Sequence, residues 1–245
     1  MLSLKNHPFA VETFFKSSLV LTYAVPKEEL TNFIPECLEL DTFNDHWAFI
    51  AVALVDTKNL RPKGFPAFMG NDFILAGFRV FVRYTNTQGK RLRGLYILKS
   101  ETNKKKMSFF GNIFTHYNYG TTDIKFVSTN ERVTVYSIKS DIDIEVIINK
   151  LEAGLPAGSP FKDWKEARRF AGPLPFTFTY NNKTSEVLII EGVRENWTPA
   201  PVETVKSKVG FIIQKDFKGI VLANAFIIEN IPYYWKKGKT EIWKG

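Results

Sequence analysis

Trp47-Ala48-Phe49-Ile50-Ala51-Val52-Ala53-Leu54-Val55 is a near-continuous apolar run with no helical period. A run of this length reads as a strand buried on both faces, or as a strand of a closed barrel. Downstream, Phe78 to Tyr84 alternates: Phe78, Val80, Val82 and Tyr84 share one face, and Arg79, Phe81 and Arg83 share the other, the two-residue period of a strand. Ser18–Ala24, Gly94–Lys99, Thr121–Ser128 and Arg132–Lys139 read as further strands, the last two as a hairpin across Thr129-Asn130-Glu131. Phe176–Tyr180 and Glu186–Glu191 pair across a polar turn at Asn181-Asn182-Lys183, and Val205–Ile213 and Gly219–Glu229 end the series.

Helices are few. Pro26 opens a short one through Phe33, and Pro35 stops it, because the residue before a proline avoids the α region. A second is expected over Pro160–Phe170, capped by Ser159 and ended by Gly172-Pro173. Asn59–Gly70, with Pro62, Gly64, Pro66 and Gly70, reads as an irregular loop long enough to be functional. Many strands, two or three short helices and no βαβ alternation argue against a doubly wound sheet. The expected fold is mainly β (α+β), a curled antiparallel sheet or barrel around a pocket, as one domain over residues 1–245.

Composition agrees. The chain has 245 residues, 44% hydrophobic and 24% charged, with 22 Phe, 9 Tyr and 5 Trp. At this size folding buries roughly 70–75% of the unfolded chain's surface, so the core needs no disulfide or metal. Cys37 is the single cysteine, which suits a reducing, cytoplasmic setting. It follows Pro35-Glu36 and reads as an inert buried thiol. The first residues show no leader pattern, and the early apolar stretch Leu19–Val25 is far short of the ~20 residues of a spanning helix. No membrane partner is expected. The net charge of +8 would serve a nucleic-acid binder, but the basic residues are dispersed and no recognition motif accompanies them. A solvated basic surface is the preferred reading, and no nucleic-acid partner is expected. A homo-oligomer is left open.

The chemistry-bearing residues are sparse. Nucleotide loops, zinc-protease helices and nucleophile elbows are absent. His7, His46 and His116 are far apart in the chain, so no metal is expected, and no cofactor. Gly111-Asn112-Ile113-Phe114-Thr115-His116-Tyr117-Asn118-Tyr119-Gly120 gathers an imidazole, amides and two phenols. His116, Tyr117 and Tyr119 are the candidate proton-transfer groups, against the alternative of a self-bonded polar loop. Arg79 beside Phe81 would bind a carboxylate or phosphate if its face lines a barrel. If that face meets water, the arginines are ordinary surface charges, and the pattern leans to the surface.

Two stretches resemble the acetoacetate-decarboxylase superfamily. Leu21 to Leu30, running on to Phe33-Ile34-Pro35-Glu36-Cys37-Leu38-Glu39-Leu40-Asp41, is similar to that family's strand–helix–"P-x-x-L-E-h-D" opening. Val193-Arg194-Glu195-Asn196-Trp197-Thr198 is similar to its late "E-A-W-T-G-P" segment. Arg168 to Phe176 and Trp197 to Val202 resemble more closely a YqjF-like, largely uncharacterised branch. The resemblance implies a curled sheet enclosing a small-molecule pocket, with Glu195 and Trp197 shaping its wall. In the decarboxylases a lysine, kept neutral by an adjacent cation in a dry pocket, attacks the ketone of a β-keto acid and forms a Schiff base with loss of water. Their two lysines follow a "G-R-E-x-x-x-[YF]-P" stretch. Laid on Gly111, that motif puts Tyr119 and Gly120 at the lysine positions, and no lysine occurs between Gly111 and Ile124. The family's early-strand arginine falls on Ala24, and its pocket glutamates fall near Ile50 and Leu75. Lys104-Lys105-Lys106 precedes Gly111 and reads as a solvated turn.

The leading expectation is therefore a pocket protein for a small carbonyl or carboxylate metabolite without the Schiff-base lysine. The alternatives are a decarboxylase-like lyase using a lysine from another strand, such as Lys99 or Lys125, and a non-enzymatic basic binding protein.

Overall fold

The computed structural model describes residues 4–148, 153–195 and 197–245. The first half of the chain forms β1 (Val11–Pro26), the short β2 (Glu39–Leu40), β3 (Trp47–Pro62), β4 (Asn71–Thr85) and β5 (Arg91–Thr102). Helix α1 (Lys105–Phe114) and β6 (Tyr119–Thr121) follow, then β7 (Lys125–Ser128), β8 (Arg132–Ser137) and β9 (Ile142–Ile147). The remainder is α2 (Trp164–Ala171), β10 (Phe176–Asn181), β11 (Glu186–Arg194), β12 (Ala200–Pro201), β13 (Glu203–Val209), α3 (Gly210–Gln214), β14 (Val221–Trp235) and β15 (Lys239–Ile242).

Seven strands close a ring in the order β14-β1-β3-β4-β5-β10-β11, with β11 pairing back onto β14. Neighbours in the ring are antiparallel except β5 and β10, which run parallel over Gly94–Tyr96 and Phe176–Phe178. A second, four-stranded sheet, β13-β9-β8-β7, lies against the ring. Leu19, Leu21, Ile50, Val52, Leu54, Val80 and Val82 of the ring join Val133, Val135, Ile144 and Val146 of that sheet in one apolar cluster. Each such side chain fully buried contributes roughly 1.5–3 kcal/mol.

This two-layer packing explains the apolar run on β3. Its even-numbered residues Ile50, Val52 and Leu54 face the second sheet, while Ala51, Ala53 and Val55 face the ring's interior. The outward set is bulky and the inward set is small. A ring lined by small side chains at this level retains open space, which becomes the cavity described below.

Several elements differ from expectation. Lys105 and Lys106 begin α1 rather than a turn, and α1 takes in Gly111–Phe114 of the polar segment. Helix α2 starts at Trp164, with Asp163 as its cap: the Asp163 carboxylate accepts the Glu166 N–H at 2.7 Å. Ser159 instead ties its own loop to the ring, donating to the Ala223 carbonyl at 2.7 Å. The apolar residues of Val205–Ile213 divide between β13 and α3. Pro26–Phe33 forms two 3₁₀ turns, Lys27–Glu29 and Thr31–Phe33.

At one end of the ring Asp41 is fully buried between two guanidinium groups, 2.5 Å from Arg83 Nη2 and 2.6 Å from Arg93 Nε. Arg93 also donates to the Phe170 carbonyl at 2.9 Å. The "L-E-h-D" motif thus ends in a structural ion triad that pins β2, β4, β5 and α2 together.

Candidate functional site

The ring encloses a cavity of about 460 Å³. Its walls are mostly apolar, including Phe73, Leu75, Phe81, Leu95, Ile97 and Ile228. No aspartate or glutamate is among its described lining residues, whereas Arg61, Arg79, Lys106 and Arg194 are.

Arg79 stands on the inner face of β4, so the barrel reading of that face is the correct one, and the surface reading fails for Arg79 and Phe81. The alternation holds because outward Phe78, Val80 and Val82 pack on the second sheet, which leaves the opposite face to the interior. Arg83 on the same face is consumed by Asp41. Two local features aim Arg79. A register shift between Phe78 and Arg79 leaves Leu98 of β5 without a partner, a bulge of the kind that redirects side chains at sites. Gly77, two residues earlier on the same face, leaves room: a Cβ there would lie 3.0 Å from Arg79 Nε and Nη2. The buried Arg79 Nε has no hydrogen-bond partner among the described residues.

Three phenols surround it. Tyr117, Tyr119 and Tyr233 line the cavity, and the positive charge of Arg79 reaches all three. Burial nevertheless dominates, pushing the Tyr119 hydroxyl up to about 12 and those of Tyr117 and Tyr233 up as well. Asn112 of α1 clasps the Tyr119 backbone from both sides, accepting its N–H at 2.8 Å and donating to its carbonyl at 2.9 Å. Gly111 makes this close approach feasible, because a Cβ would meet the Tyr119 ring at 2.4 Å. Asn118, at φ 51°, turns the chain between the two tyrosines. The Tyr117 hydroxyl is buried in the cavity wall beside Thr177.

Arg194 lies on the opposite part of the ring. It donates to the Pro173 carbonyl at 2.8 Å, reaches the Tyr233 hydroxyl at 3.5 Å and stacks 4.3 Å from the Trp197 ring centroid. Arg194 is thus tethered at several points, whereas the Arg79 Nε has no such tether among the described residues.

Tyr117, Tyr119, Arg79, Phe81 and Trp197 are therefore brought to one cavity. His116 is not: its Nε2 lies 3.1 Å from Asn6 Oδ1 in a separate small cleft with Thr179 and Glu186. The turn at Asn118 follows it, and the imidazole points out of the ring as the phenols point in. Glu195 is exposed and does not line the cavity, because β11 ends at Arg194 and releases the chain there. Its neighbour Asn196 lies outside the described residues. The histidine that does reach the cavity is His7, buried, with Nδ1 unpartnered among the described residues and its pKa lowered by burial. Arg194, Tyr233 and His7 had no distinguishing sequence signal. Arg194 sat inside a quoted motif, but only ring closure turned it inward. Lys99 pairs with Glu101 at 2.6 Å, and Lys125 is exposed on β7; neither lines the cavity. Among the described residues no cluster of three metal-ligating side chains occurs.

The buried phenols make alkaline stability testable. Tyr23 and Tyr119 are both raised from 10.0 to about 12, chiefly by burial. A raised folded-state value means full stability below the unfolded value of 10.0 and loss as pH climbs through about 12. The melting temperature should hold up to pH 10.0 and fall steeply above it, in step with phenolate absorbance. A melting temperature unchanged across that interval would contradict the burial of these hydroxyls.

The fold has known counterparts. Acetoacetate decarboxylase from Legionella pneumophila subsp. pneumophila str. Philadelphia 1 superposes with a TM-score of 0.58 at 12% identity, covering 96% of this chain and 88% of that one. An acetoacetate decarboxylase-like enzyme from Sphingomonas wittichii RW1 gives 0.59 at 10% identity, covering 98% and 95%. The enduracididine biosynthesis enzyme MppR, complexed with pyruvate, gives 0.58 at 7% identity, covering 95% and 90%. These likenesses are of fold. No curated protein matches the chain by sequence. A family model described as "Uncharacterized conserved protein (COG2071)" matches residues 14–238. That span takes in almost the whole ring, and its fold is that of the acetoacetate-decarboxylase-like superfamily resembled by the sequence motifs. The chain belongs to the DUF2071 family.

Proposed function

We propose that the cavity binds a small carboxylate or keto-acid metabolite, with the acid group held by Arg79, and that it does so without Schiff-base decarboxylation. The observation that carries this reading is the Arg79 guanidinium, inside an apolar cavity whose described lining residues include no carboxylate to neutralise it. A guanidinium in such surroundings needs an anion, and a carboxylate matches its fork with two parallel hydrogen bonds. Tyr117, Tyr119 and Tyr233, neutral at physiological pH, can donate to a carbonyl or carboxylate oxygen beside it. His7, kept neutral by burial, and these phenols are the groups able to pass a proton there. The pyruvate of the MppR complex supports ligands of this class in a fold of this kind.

The competing reading is a lyase working through a lysine. Lys106 is the lysine among the described lining residues, and it is exposed at the start of α1. Its amine is open to water, the reverse of the dry, cation-flanked setting that makes lysine nucleophilic. Titration calorimetry with acetoacetate, pyruvate and longer aliphatic acids tests binding; no heat with any acid would end the carboxylate reading. Borohydride added to the protein with acetoacetate should leave the mass of every lysine peptide unchanged. A reduced adduct on Lys106, with carbon dioxide release lost in Lys106→Met, would establish the competing reading instead.

A further inference from the structure

The surface around the cavity mouth combines two features that folding does not require. The first is apolar. Phe68 is 87% exposed and Phe109 63%, with Phe65, Met69 and Phe110 at 48%, 45% and 42%. They come from two distant segments, the connection between β3 and β4 and helix α1. Met69 and Phe110 nevertheless line the same cavity, and the Phe109 and Phe110 rings meet edge-on at 5.4 Å. Single exposed apolar side chains are ordinary, but a group of large ones around an opening marks a contact surface.

The second feature is charge. Lys104, Lys105 and Lys106 are exposed at the N-terminus of α1, whose first turn has no acidic residue and no capping side chain. None of the three has an ion-pair partner among the described residues. A helix start already carries partial positive charge, so three lysines there oppose the macrodipole. That arrangement weakens the helix in isolation and favours an external anion. Lys106 extends the positive charge to the cavity lining itself, whereas Arg61 there is paired with Glu12 at 2.7 Å.

We propose that this mouth docks on an anionic lipid bilayer, with the aromatic side chains entering the acyl boundary and the lysines pairing with headgroups, so that the cavity opens against the membrane. The charge decides the occupant. In a twofold contact with a second copy the same patch meets itself, which would bring the two lysine triplets together. A membrane of anionic lipids complements both the lysines and the aromatics. The sequence-based expectation of no membrane partner rested on the lack of a spanning stretch. Among the described residues no helix is long and apolar enough to cross a membrane, and docking at the interface requires none. This inference does not depend on what the cavity binds.

The test uses the whole chain and vesicles of phosphatidylcholine, with or without phosphatidylglycerol. The protein should sediment with the anionic vesicles, stay in solution with the neutral ones, and be released by salt. Each lysine lost should weaken the partition about fivefold, so K104E/K105E/K106E should drop it below detection. Phe68→Ser with Phe109→Ser should do the same at unchanged charge. All five positions are exposed, and unchanged circular dichroism would verify the fold of each variant. No sedimentation with anionic vesicles, or sedimentation indifferent to both variants, overturns the proposal. So does a dimer in light scattering that the phenylalanine variant dissociates while vesicle binding is absent, which would assign the patch to a second copy.

Discussion

Arg79→Met loses carboxylate binding by about 30-fold to more than 1000-fold, while the empty protein is as stable as before or more so. Truncating one partner of a buried, hydrogen-bonded charge pair typically costs about 2–5 kcal/mol. Here the second partner is the ligand, so the whole cost appears in affinity. The apo protein behaves oppositely because the Arg79 Nε is buried without a hydrogen-bond partner among the described residues. Replacing an uncompensated buried polar group by an apolar one of similar length removes its desolvation penalty. Calorimetry on the two proteins with the best-binding acid, and thermal melts without ligand, measure both halves. Undiminished affinity would show that the acid group sits elsewhere, with Arg194 as the next candidate. Lost affinity together with a collapsed melting temperature would make Arg79 a structural residue and remove the functional reading.

Asp41→Asn should lower the melting temperature by on the order of 10 °C. Asp41 is fully buried and holds Arg83 and Arg93 from its two oxygens. The substitution keeps shape but leaves two guanidinium groups facing a neutral amide, and breaking a buried pair in this way costs about 3–5 kcal/mol. At this chain length each kcal/mol moves the midpoint by roughly 2–4 °C. Arg83→Met and Arg93→Met introduced together with Asp41→Asn should recover part of the loss, since the unpaired charges are then gone. A shift below about 2 °C would mean that the triad is solvated and that the end of the ring is held by packing alone. Ligand affinity should change little, because Asp41, Arg83 and Arg93 are absent from the cavity lining.

The strands were largely legible because their signal is local. The run over Trp47–Val55 and the alternation over Phe78–Tyr84 each survive as a strand, in β3 and β4. The hairpin across Thr129-Asn130-Glu131 stands as β7 and β8. Helix positions were less legible. Lys105–Phe114 has no capping residue and carries charges opposed to the dipole, so nothing in its composition announces a helix. It forms because Met107 packs on the ring and because Asn112 and Ser108 bond the Tyr119 backbone. Of the candidate site residues, Tyr117, Tyr119, Arg79, Phe81 and Trp197 meet at the cavity, whereas His116 and Glu195 lie outside it.

The amino-acid order alone marks most of the strand segments, which side chains share a face, that β3 is either buried on both faces or part of a barrel, and which family motifs the chain carries. Those properties depend on residues adjacent along the backbone, where the two-residue period does the sorting. Folding decides which face becomes the interior, that β10 joins the ring in parallel with β5, that His7 rather than His116 enters the cavity, and that Arg79 has no counter-charge there among the described residues. Those outcomes depend on contacts between residues far apart in the chain, such as β11 against β14. A side chain's surroundings, and hence its chemistry, are set by those contacts rather than by its neighbours in sequence.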